Sequence, residues 1–66
     1  MIDKYQLTDV LRRIAREHLQ KTINKEEIAQ ARVEITETAR LEFCVKASDP
    51  AQEAPRYFYV KVSEPL

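Results

Sequence analysis

Residues 31–46 read ARVEITETARLEFCVK, and this stretch decides the fold. Val33 and Ile35 alternate with Arg32, Glu34 and Thr36. Leu41, Phe43 and Val45 then alternate with Arg40, Glu42, Cys44 and Lys46. A period of two, rich in β-branched and aromatic residues, predicts a half-buried strand. Glu37-Thr38-Ala39 reads as a tight connection between two such strands. The same alternation returns at Phe58, Val60 and Val62, set against Tyr57, Tyr59 and Lys61. The loop 48–55 before it carries Pro50 and Pro55, which cannot donate to a ladder. Short connections favour an antiparallel meander of three strands.

Working back from residue 31, the period changes. Leu7, Val10, Leu11, Ile14, Ala15, Leu19 and Ile23 fall at the three-and-four spacing of one helical face. Asp9, Arg13, Arg16, Glu17 and Gln20 occupy the other face. Asp9 to Arg13, Arg13 to Glu17 and Glu17 to Lys21 are opposite charges four apart. Asp3 and Thr8 compete as the cap. Asp3 is favoured, with Gln6 completing a capping box and Ile2 stapled to Leu7. Asn24, with Glu27 three residues on, predicts a short second helix over about Lys25–Gln30. The expected architecture is therefore α+β, ordered ααβββ: a helical layer on the apolar face of a three-stranded antiparallel sheet, as one domain over 1–66. Phe43 and Val60 are expected to be fully buried against Leu11 and Ile14.

Composition narrows the classes of function. The 66 residues suffice for a single small core, with a thin stability margin. Apolar residues at 44% and charged residues at 33% argue for a globular domain over disorder. Eleven Lys and Arg balance eleven Asp and Glu, so no overall basic excess points to nucleic acid or a membrane. Glycine is absent, which excludes a phosphate-cradling glycine loop. No apolar run approaches the ~20 residues of a membrane-spanning helix. Cys44 is the single cysteine, has no internal disulfide partner, and suits a reducing, cytoplasmic setting.

Few residues invite chemistry. His18, the only histidine, falls near the middle of the apolar stripe and reads as a partly buried imidazole near a helix C-terminus. A general base there would need a carboxylate or nucleophile partner that no spacing supplies. Cys44 falls on the open sheet face beside Glu42 and Lys46, and His18 is expected on the opposite side. That separation speaks for an inert thiol over a nucleophile. One His and one Cys are too few for a zinc site. The expectation is no catalytic residue, no cofactor and no metal.

Tyr57 and Tyr59 are the most informative pair. They are expected on the open face of the third strand, close to Arg32, Arg40 and Lys61. Exposed tyrosines beside basic residues suit a protein interface. They also suit base stacking, in which case Arg12, Arg13 and Arg16 of the helix would meet phosphates. Asp9 and Glu17 interrupt that basic tract, so the protein interface leads. The third strand is hydrophobic on both faces and falls at an edge of the meander. That liability is relieved by a homodimer or by a different partner. Small size and few catalytic groups suit a phage-type inhibitor or accessory protein.

Overall fold

In the computed structural model, which describes residues 1–26 and 30–65, one helix packs on a three-stranded antiparallel sheet. The helix, α1, runs without a break through Lys4–Ile14, a wide π turn at Ala15–Leu19, and Gln20–Asn24. Asp3 caps it. Asp3 Oδ1 accepts from the Gln6 N–H at 2.8 Å, and Gln6 Oε1 accepts from the Asp3 N–H at 2.9 Å. Two N–H groups with no partner in the first turn are thereby satisfied.

Asn24 is the last helical residue, and its Oδ1 accepts from Gln20 Nε2 at 2.9 Å. Lys25, Glu26 and Gln30 lie in turns and a bend, so the short second helix is not formed there. The remainder of that expected helix, 27–29, lies outside the described residues.

The strands are β1 (Arg32–Ala39), β2 (Glu42–Ser48) and β3 (Arg56–Lys61), in spatial order β1-β2-β3. Ile35 pairs with Val45 and Phe43 with Val60, while Thr36 pairs with Cys44 and Cys44 with Tyr59. The two faces therefore separate as the alternation predicts. Strand β1 continues to Ala39, past the expected connection at 37–39. A register shift between Glu37 and Ala39 absorbs Thr38, and the turn falls at Arg40 and Leu41.

The helix meets the sheet with a line that only partly coincides with its apolar stripe. Thr8 is fully buried, and its Oγ1 donates to Lys4 O at 2.7 Å. Arg12, Ala15 and Leu19 continue this line, all partly buried. The Arg12 guanidinium joins Asp9 at 3.0 Å and Glu37 of β1 at 3.3 Å. Asp9 thus pairs three residues on, where the sequence suggested Arg13. Near the hairpin turn, Arg40 stacks on the Tyr5 ring at 4.3 Å.

Leu7, Leu11 and Ile14 lie about 100° round the helix from the Thr8 line. They sit on the flank away from Tyr5 and Arg12. All three are partly open to solvent, Ile14 by 48%. The expected burial of Leu11 and Ile14 is therefore incomplete. Phe43 is buried at 4%, whereas Val60 is 38% exposed, because α1 is anchored along β1 and leaves β3 uncovered.

The π turn explains where the helix ends. A regular helix would carry Gln20 about a third of a turn away from Thr8. The wide turn takes up one residue and returns Gln20 to the sheet. There its Oε1 accepts from the Val33 N–H at 2.8 Å and its Nε2 donates to Ala31 O at 2.9 Å.

Candidate interaction surface

Strand β3 owes its position to the hairpin with β2 and to Pro55, which starts it without an N–H to donate. Every residue from Arg56 to Lys61 is exposed. On the helix-facing side this leaves Phe58 and Val60 open, with the Arg56 guanidinium over the Phe58 ring at 5.6 Å. On the other side Tyr57 and Tyr59 stand out, Tyr59 at 64% exposure.

The open face is built in rows. Glu34, Lys46 and Tyr57 form one, and Thr36, Cys44 and Tyr59 the next. Lys46 Nζ lies 3.9 Å from Glu34 Oε2. Lys61 stands across from Glu42, whose Oε1 accepts from Thr38 Oγ1 at 3.3 Å. Lys46 and Lys61 of this face thus stand beside carboxylates. Cys44 is buried at 6%, in the central strand between Thr36 and Tyr59. Burial on the open face comes from taller neighbours around a short side chain, which the alternation alone does not reveal.

Of the residues singled out from the sequence, Tyr57, Tyr59 and Lys61 are brought together on β3. Arg32 shares their face but belongs to β1, two strands away, and its Nη1 donates to Ala31 O at 3.1 Å. Arg40 does not join them: its stacking on Tyr5 ties it to the helix. Phe58 and Val60, assigned to the core by their phase, complete the exposed strand instead.

The helix arginines divide. Arg12 is turned inward with its side chain only 15% exposed, and its Nη1 is buried without an aligned hydrogen bond, facing Glu37. Arg13 and Arg16 line a shallow surface depression with Asp9, Arg12 and Glu17. His18 lies outside the core, correcting the expected burial. Its side chain is 60% exposed, with Nε2 3.6 Å from Glu17 Oε2. The sheet separates it from Cys44. Among the described residues, no three His, Cys, Asp or Glu side chains gather as a metal-binding group, and no helix is long and apolar enough to cross a membrane.

No family model matches the chain, and neither a curated protein nor a solved structure matches it.

Proposed function

We propose that this chain is a non-enzymatic protein–protein interaction module whose working surface is strand β3. The observation that carries this reading is the exposure of four consecutive large residues, Tyr57-Phe58-Tyr59-Val60, on both sides of one strand. Natural sheets cover or charge such an edge, and here only Arg56 and Lys61 flank it. Tyrosine and arginine are also the side chains that protein interfaces favour. Such a module suits a small inhibitor or accessory protein of the phage type, which works by masking another surface. The free thiol of Cys44 suits action in the reducing cytoplasm.

Nucleic acid is the alternative occupant. The pairing of Lys46 with Glu34 and the inward turn of Arg12 weigh against it, since phosphate binding needs free cations. The test is a photo-crosslinking residue placed in cells at Tyr57 or Tyr59, with Arg13 as the control position. Protein adducts confined to the β3 positions support the module. Adducts to nucleic acid, or none above the control, overturn it.

A further inference from the structure

We infer that the occupant of the β3 edge is a second copy of the chain, paired antiparallel about a two-fold axis through Tyr59. This inference rests on the interaction reading above and adds a partner and a register.

The backbone sets the register. Opposed residues in an antiparallel pair alternate between hydrogen-bonded and non-bonded positions. The Val62 N–H donates to Leu41 O at 2.9 Å, so that pair is a bonded one. Two residues along lie Phe43 with Val60, then Val45 with Phe58. The N–H and C=O groups of Phe58 and Val60 therefore point inward to β2. Those of Tyr57, Tyr59 and Lys61 point outward along the free edge.

A second β3 running the opposite way meets this edge best with Tyr59 opposite Tyr59. Tyr57 then faces Lys61 of the copy, and all the outward groups of these three residues find partners. Sliding the pairing by one step toward the strand start sets Lys61 opposite Pro55, which has no N–H. Sliding it the other way carries Tyr57 past the strand to Ser63.

The side chains agree with this register. A symmetric antiparallel pair keeps each face on its own side, so both helices share one face. There Phe58 meets Val60 of the copy, and Val60 meets Phe58, in one apolar row. On the open face the Tyr59 rings meet, and Tyr57 lies beside the copy's Lys61 ammonium, an aromatic–cation arrangement. The result is a continuous six-stranded sheet, three strands from each copy.

Surface area supports a partner of this size. A folded monomer of 7.8 kDa should expose about 4,400 Å². This chain exposes 5458 Å². The excess is on the order of 1,000 Å² over the whole chain, the exposed β3 side chains being one part of it, and a standard interface takes ~800 Å² from each partner.

Sedimentation equilibrium at micromolar concentration tests the pairing. The wild type should sediment at twice the monomer mass. Tyr59→Pro removes an outward N–H and leaves the ladder to β2 intact; it should sediment as a folded monomer with an unchanged helical circular dichroism signal. Should Tyr59→Pro fail to fold, oxidative cross-linking in a Cys44→Ser background carries the test. Tyr59→Cys should link to itself at least tenfold faster than Tyr57→Cys, and the double variant Tyr57→Cys/Lys61→Cys should recover fast linking. A dimer in which Tyr59→Cys links no faster than Tyr57→Cys overturns the register. A wild type that stays monomeric overturns the second copy. The two readings then separate by the photo-crosslinks at Tyr59: adducts to other proteins spare the interaction module, and none sinks both.

Discussion

Strands β2 and β3 are neighbours in one hairpin and share one alternation, yet they occupy opposite environments. Phe43 and Cys44 of β2 are buried, and their direct partners across the ladder, Val60 and Tyr59, are exposed. Hydrophobicity does not distinguish them, since β3 is the more aromatic of the two. Position does. β2 has a strand on each side and α1 nearby, whereas β3 has one neighbour and no helix above it. An apolar face is only a capacity for burial, and the placement of the second layer decides which strand uses it.

Truncating the aromatic on each strand should break this comparison most visibly. Phe43→Ala should destabilise the fold by about 3–5 kcal/mol, the range for large-to-small aromatic changes in a core. Phe58→Ala should cost the monomer only about 1 kcal/mol, since half-exposed side chains lose half the burial term. Urea denaturation at low protein concentration measures both. Equal losses would place Phe58 in the core after all.

Gln20→Ala comes next. It leaves Val33 N–H and Ala31 O without their side-chain partners, at a cost of about 1–3 kcal/mol if they stay shielded from water. Amide exchange at Val33 should accelerate, while exchange at Phe58, bonded within the hairpin, should follow only the global change. Asp3→Ala should cost about 1 kcal/mol by opening the capping box, read as a lower melting temperature with an unchanged sheet. The smallest effect belongs to Glu34→Gln, whose exposed pair with Lys46 is worth under about 1 kcal/mol. A larger loss there would mean that the open face is more organised than its exposure implies.

The strands and their phase were legible in the sequence, because a period of two fixes which side chains share a face whatever lies above them. The Asp3 cap was legible for a similar reason: its bonds span three residues. The seating of the helix was not. Thr8 and Arg12 face the sheet although neither is apolar, since a hydroxyl can return its proton to Lys4 O and a guanidinium can meet Glu37. The wide turn at Ala15–Leu19 then shifts every later position by one, and no residue type announces it. Once the seating differs, the exposure of Leu11, Ile14 and Val60 follows. For the candidate surface, Tyr57, Tyr59 and Lys61 could be placed together from alternation alone. Arg40 could not, because its stacking on Tyr5 joins residues far apart in the chain.

The amide of Gln20 bears on how many copies could gather. A sheet with two open sides is bivalent, and bivalent units add end to end without limit, as fibres do. By offering one acceptor and one donor to the outer side of β1, Gln20 stands where the first peptide group of an incoming strand would have to dock. That position at the start of β1 is thereby occupied by a side chain of the same copy, and an incoming strand finds its first pairing site already taken. One glutamine, delivered by one widened helical turn, thus shields the start of β1 from edge-to-edge pairing.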